Sequence, residues 1–524
     1  MRKYLFPAIL LITMTAFSQS ASLPSIEPGV PLELAKWRAA HYSDVRYKLN
    51  LTLEKMSPVL KGTMEIRVVV RDAATSGRLA TGTQASPPAS AQGADIPPII
   101  LDWRKIKGHE DKSTISNVTV NGRIALFDRP QNVKDGISRY YADIKEHLVF
   151  YDNVVIGENV IKLDFTSPIL TSGSAITRYI DKEDGSEYLY SIFVPSDAST
   201  AFPVFDQPDI KARFSLTVNS PGDWTAVSNS TEIPGYLNLR CLQALPLPGE
   251  RPDQARLTAA CGQLFDETQP ISTYVFAFAA GPFKTFSQGF RNPGAVVVET
   301  SEELAIDREN EYQARLSPKI YVRKSQAEKF KPHAAEVFRL NREAIRYFEE
   351  YFDYKFPFPK YDLVLIPEFP FGGMEHAGAT FLRESAIIFP QEPTKNDHIS
   401  RALLIFHEAS HQWFGDTVTM RWFDDLWLKE GFATFTAYKA LEKIKLGGGN
   451  PTGREGVSVN MEQVNAWKVF YERVKQAAYQ TDSTKGTTPI YQEIPNLSAA
   501  KSAYGAIVYN KAPAFLRQAE FYLG

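Results

Sequence analysis

The chain changes its hydrophobic rhythm partway along. Over residues 46–54, Tyr47, Leu49, Leu51 and Leu53 alternate with Lys48, Asn50 and Thr52, the period of two that a half-buried strand requires. Met64, Ile66 and Val68 repeat it, and so do Phe214, Leu216 and Val218. Residues 73–98 are rich in Ala, Ser, Thr, Gly and Pro, the composition of a flexible insertion between strands. Residues 274–280 are a continuous apolar run closed by Gly281-Pro282, which predicts a strand buried on both faces.

After about Pro293 the helical period takes over. Residues 332–351 set Val337, Ala344, Ile345 and Phe348 on one stripe, and Phe356-Pro-Phe-Pro359 stops the segment. Short strands are predicted at 361–366 and 387–389, with Pro367-Glu-Phe-Pro-Phe-Gly-Gly373 as a loop between them. Two helices follow. The first, over 399–414, is apolar nearly all round, with Asn396 or Asp397 to cap its start and Gly415 to end it. The second starts at Asp424 or Asp425. No internal repeat is visible. The pattern predicts a multidomain α+β protein, with a β-rich domain over 22–293 and an α/β domain over 294–524.

Composition narrows the partners. At 524 residues the chain exceeds one ordinary core. Its 44% hydrophobic and 23% charged residues are the balance of a globular protein. A net charge of −2 leaves no basic excess to attract nucleic acid or an anionic membrane. Arg2 and Lys3 precede an apolar run over 4–17, followed by Ser18-Gln19-Ser20-Ala21. That order is a secretory leader over 1–21, so the mature protein is expected to be exported, with no stable membrane span. Cys241 and Cys261 are the only cysteines; in an oxidising compartment they could close one loop, or stand as two free thiols.

The chemistry lies on the two late helices. His407-Glu408-Ala409-Ser410-His411 is an HExxH motif. Residues four apart share one helix face, so His407 and His411 can direct two imidazole nitrogens at one Zn²⁺. Glu408 lies about 100° round the axis, beside the metal, where a general base for a metal-bound water is needed. Glu430 follows His411 by nineteen positions, enough for the chain to leave one helix and return on the next. Its carboxylate would complete a His₂Glu set around one zinc per chain, leaving a coordination position open.

These motifs carry a resemblance. His407-Glu-Ala-Ser-His-Gln-Trp-Phe-Gly-Asp416 and Trp427-Leu-Lys-Glu-Gly-Phe-Ala433 resemble the gluzincin zinc peptidases of the aminopeptidase N and leukotriene A hydrolase family. Gly372-Gly-Met-Glu-His376 resembles that family's Gly-x-Met-Glu-Asn exopeptidase motif. Phe202-Pro-Val-Phe-Asp-Gln-Pro208 resembles the Phe-Pro-Cys-Phe-Asp-Glu-Pro segment of its amino-terminal domain. The resemblance implies a β-rich saddle domain followed by a thermolysin-like α/β peptidase domain. It also implies that the catalytic domain is C-terminally incomplete, since family members continue well past the last residue here.

The same resemblance implies roles. His407, His411 and Glu430 would bind zinc and Glu408 would activate the water. Glu375 would hold the free α-amino group of a peptide substrate, with Gly372, Gly373 and Met374 beside it. Tyr509, in Tyr509-Asn-Lys-Ala, would stabilise the oxyanion, with Tyr491 and Tyr504 as rivals. Two departures stand out: His376 replaces the motif's Asn, and Val194 precedes Pro195 where many members carry a Glu. The implied activity is N-terminal peptide-bond hydrolysis. The alternatives are a peptidase-like binding or scaffold protein and, from the hydrolase branch, an epoxide hydrolase.

Overall fold

A computed structural model describes residues 23–71, 96–128, 141–233, 261–289, 292–298, 318–446 and 464–523. The leader at 1–21, Cys241 and nearly all of the 73–98 insertion lie outside the described residues.

The period-two segments pair as strands. Tyr42–Thr52, Val59–Val70, Gly157–Pro168 and Ala212–Ser220 are the long members of a seven-stranded sheet. Tyr42–Thr52 pairs antiparallel with Val59–Val70 and parallel with Ala212–Ser220. Tyr47, Leu49 and Leu51 are buried while Lys48 is exposed, so the alternation read from the chain is the alternation of faces. Two four-stranded sheets join this one, the second including Phe278–Gly281. The apolar run over 274–280 is buried throughout. It forms a 3₁₀ turn, Thr273–Val275, before that strand rather than one continuous strand.

A six-stranded sheet organises the second half, in the order Asn292–Val298, Phe283–Gly289, Lys319–Arg323, Asp362–Ile366, Ala379–Arg383, Gly373–Met374. Its first hairpin straddles residue 293, so the boundary expected there falls inside a paired element and the second sheet begins at Phe283. The strand expected at 387–389 is absent. Glu384–Ile387 is a short helix, and Ala379–Arg383 is the strand, paired parallel to Asp362–Ile366.

Helix Ala327–Phe352 packs its buried stripe of Phe330, Ala334, Val337, Phe338, Ala344 and Phe348 on this sheet. It starts at Ala327, ahead of the expected 332, so Pro332 lies inside the helix, where it cannot donate the i→i−4 hydrogen bond to the Glu328 carbonyl. The two chemistry-bearing helices are Lys395–His411 and Leu426–Lys443. The first is capped by Thr394, whose side chain accepts from the Asp397 N–H while Asp397 reaches back, a reciprocal capping box. Neither Asn396 nor Asp397 is the cap itself. One apolar core runs from the N-terminal sheets through Val364, Ile366, Met374 and Phe381 to Trp422 and Leu426, so the β-rich part and the helical part are packed as neighbours.

Candidate active site

Two helices supply three converging donors. His407 Nε2 and His411 Nε2 stand 3.0 Å apart, and each lies 3.3 Å from Glu430 Oε2. Nitrogen and oxygen donors bound tetrahedrally at about 2.0–2.1 Å are spaced roughly 3.3 Å from one another. The three atoms therefore have the mutual spacing of ligands around one small cation. Two unlinked imidazole nitrogens do not otherwise face each other at 3.0 Å without sharing a proton. His411 Nδ1 meets the Phe414 carbonyl at 2.9 Å; donating there leaves the Nε2 lone pair for a cation. Ser410 Oγ and Thr436 Oγ1, 2.8 Å apart and buried, tie the helices together in this register.

Charge asks for the same cation. Glu375, Glu408, Glu430 and Asp416 are all buried here, against one buried lysine, Lys429. Burial works against His411 carrying a charge, yet Glu375 and Glu430 overcome it and push its pKa up to about 9. Burial likewise opposes ionisation of Glu430, but Lys429 and His411 hold it well below the usual carboxylate range. For Glu408 and Asp416 burial wins, and both are raised well above it. A divalent ion among these groups would offset the surplus of carboxylates and favour ionised Glu408.

The remaining candidates surround this point. Glu408 Oε2 is buried with no hydrogen-bond partner among the described residues. Gly373 lies against its carboxylate: a Cβ there would sit 2.4 Å from Glu408 Oε1. Gly373–Met374 is the edge strand of the six-stranded sheet, and Gly372 lies beside Leu404 of the first helix. Gln412 fixes the segment to that helix, accepting from the Gly378 N–H at 2.9 Å and donating to the Glu375 carbonyl at 3.2 Å. Glu375, Glu408 and His411 place ligand atoms within 4.8 Å of one another. The Tyr509 ring lies 6.2 Å from that of His407, on the turn Ile507–Lys511. Tyr491, half-exposed, donates to Asp424 at 2.8 Å, while Tyr504 packs near Lys429.

Some of the site was not foreseen from the chain. Lys429 is 2% exposed, with Nζ 2.5 Å from Glu375 Oε1 and 3.0 Å from Glu430 Oε1. Glu375, expected as an amine anchor, already holds an ammonium group. Tyr274 donates to the Gly415 carbonyl at 3.0 Å, and Lys211 donates to the carbonyls of Asp416 and Thr417. The N-terminal part thus fixes the turn after the first helix. His376 is fully buried, edge-on to Phe381 at 4.4 Å, and burial drives its pKa down to about 3; it is a neutral packing group. A run of two helices could have signalled Lys429 only as a charged residue at a position otherwise facing inward.

Together, the β-rich part and the two-helix His-His-Glu group define the architecture of a metallopeptidase of the two-domain kind. Comparison with known proteins gives the family: residues 337–524 match the Peptidase family M1 domain, and residues 104–238 match the Peptidase M1 N-terminal domain. The chain belongs to peptidase family M1. It is 32% identical over 368 residues to aminopeptidase N of Streptomyces lividans, covering 70% of this chain and 36% of that one. It is 29% identical over 390 residues to probable aminopeptidase 1 of Sulfurisphaera tokodaii, covering 74% and 41%. It is 26% identical over 426 residues to Tricorn protease-interacting factor F2 of Thermoplasma acidophilum, covering 81% and 44%. The matched region thus spans less than half the length of each of these relatives.

Proposed function

We propose that the protein is a zinc-dependent aminopeptidase that hydrolyses the N-terminal bond of peptides. The observation that carries this reading is the triangle of His407, His411 and Glu430 donors at 3.0–3.3 Å, with the Glu408 carboxylate beside it. Zinc held by these three residues would polarise the scissile carbonyl and acidify a water. Glu408 takes the proton at Oε2 and passes it to the leaving amine. Tyr509 donates its hydroxyl to the developing oxyanion. The edge strand Gly373–Met374 offers its unpaired side to an extended peptide, and Glu375 meets the substrate's amino group in competition with Lys429. The leader-like residues 1–21 support export. No helix among the described residues is long and apolar enough to cross a membrane.

The test is zinc content and aminoacyl-nitroanilide hydrolysis by the purified chain and by Glu408→Gln. The expected result is one zinc in each protein and a loss of about 10²–10⁴-fold in kcat for the variant. Zinc bound with no turnover in the unmodified chain would instead favour a peptidase-like binding protein.

A further inference from the structure

The helix that carries His407 and His411 ends in a turn that the β-rich part holds from outside. His411 Nδ1 meets the Phe414 carbonyl at 2.9 Å, so this carbonyl sets the tilt of the imidazole whose Nε2 faces the other two donors. The turn closes on itself: Gly415 N–H donates to the Val418 carbonyl at 2.9 Å and Val418 N–H to that of Trp413 at 2.8 Å. Gly415, at φ +134°, lies so near the ring that a Cβ there would stand 3.2 Å from His411 Nδ1. A shift in this closed turn therefore reaches His411. Lys211 grips the turn from the other part of the molecule, donating to the Asp416 carbonyl at 2.8 Å and the Thr417 carbonyl at 2.7 Å. The buried Tyr274 hydroxyl donates to the Gly415 carbonyl at 3.0 Å, which also accepts from Thr419. The two donors share one base, since Ala212 and Ile271, close to them in the chain, exchange both backbone hydrogen bonds at 2.9 and 3.0 Å.

We propose that Lys211 is a positioning residue for His411, with Tyr274 as its lesser companion, so that the β-rich part governs how tightly the two helices retain zinc. This rests on the reading of the His-His-Glu group as a zinc site. An ammonium on two successive carbonyls fixes both peptide planes; a methionine in its place leaves both carbonyls without that donor. The turn then relaxes, and the Phe414 carbonyl no longer holds Nδ1 in one place. Loss of a group that touches a metal ligand costs about 10–100-fold in metal affinity. Lys211 acts through the turn rather than on the ring, so its effect is expected at the low end, about tenfold. Tyr274→Phe leaves Thr419 on the same carbonyl and is expected to cost about threefold.

The experiment measures zinc affinity by competition with a chromogenic chelator, on the full chain and on Lys211→Met, Tyr274→Phe and Leu163→Ala. Leu163 is buried in Gly157–Pro168, three strands across the same sheet from Ala212–Ser220, so its truncation lowers Tm without touching the turn. The visible spectrum of the cobalt-substituted proteins reports ligand geometry separately from stability. Zinc affinity is expected to fall about tenfold in Lys211→Met and about threefold in Tyr274→Phe. The cobalt bands shift in Lys211→Met, and Leu163→Ala shows neither change. Unaltered affinity and cobalt bands in a folded Lys211→Met, or an equal loss in Leu163→Ala, would overturn the proposal. Should Lys211→Met fail to fold, unaltered affinity in Tyr274→Phe overturns it alone. Zinc affinity in the expected order without hydrolysis of an aminoacyl-nitroanilide would sink the peptidase reading and uphold the role of Lys211. An unmodified chain that takes up no zinc would sink both.

Discussion

Gly373→Ala is the most informative small change in the site. The new Cβ would lie 2.4, 2.5 and 2.6 Å from Oε1, Cδ and Cγ of Glu408, where ordinary contact begins at 3.4 Å. The backbone of Gly373 is not in the left-handed region, and alanine suits an edge strand, so the fold is expected to accept it. What must give is the Glu408 carboxylate, by about 1 Å. A displacement of that size at a reacting group costs on the order of 10²-fold in rate. His407, His411 and Glu430 are not among the nearest neighbours of that Cβ, so metal content is expected to stay at one zinc. The assay is kcat for an aminoacyl-nitroanilide beside zinc stoichiometry and Tm, with Glu408→Gln as the reference. Full activity, or activity lost together with zinc, would refute the placement of Glu408 as a base held in register by Gly373.

Three further expectations follow from the same packing. Glu408→Gln retains zinc and loses hydrolysis, as set out above. Gly431→Ala puts a Cβ 2.7 Å from the Ala512 Cβ and 3.1 Å from the Val508 carbonyl oxygen; overpacking there costs about 1–3 kcal/mol, read as a lower denaturation midpoint, and lowers kcat by moving Tyr509. In the N-terminal part, Arg38 and His147 flank Asp102, Arg38 at 2.6 and 2.9 Å. Burial opposes the Asp102 charge, but Arg38 and His147 overcome it and depress the pKa to about 2. A depressed carboxylate stabilises above its unfolded value of about 3.9, and that contribution, about 2 kcal/mol, is lost as pH falls from there towards 2. Asp102→Asn is expected to remove this part of the acid limb from a plot of stability against pH; an unchanged limb would contradict it.

Much of the fold was legible because burial repeats along the chain. Tyr47, Leu49 and Leu51, like Val337, Ala344 and Phe348, announce their face by spacing alone. The convergence of His407, His411 and Glu430 was legible too, since HExxH needs only helix geometry and Glu430 only a second helix. What stayed hidden depends on neighbours distant in sequence. Glu384–Ile387 closes a helical turn although the overlapping Ile387-Ile388-Phe389 reads as strand. Ala379–Arg383 is too short to show a period and is a strand because Asp362–Ile366 pairs with it. Thr394 and Asp397 spell a capping box that the chain did display. Lys429 reads as one more charged residue until Glu375, from a loop more than fifty positions away, is brought to 2.5 Å from it.

Anomalous scattering from crystals of the zinc-loaded protein, recorded at the zinc edge, tests the central claim most directly. One peak is expected at a point about 2.0–2.2 Å from Nε2 of His407, Nε2 of His411 and a carboxylate oxygen of Glu430, with Glu408 outside the coordination sphere. A peak bound instead by Glu375, Glu408 and His411, or no peak between the two helices, would contradict it.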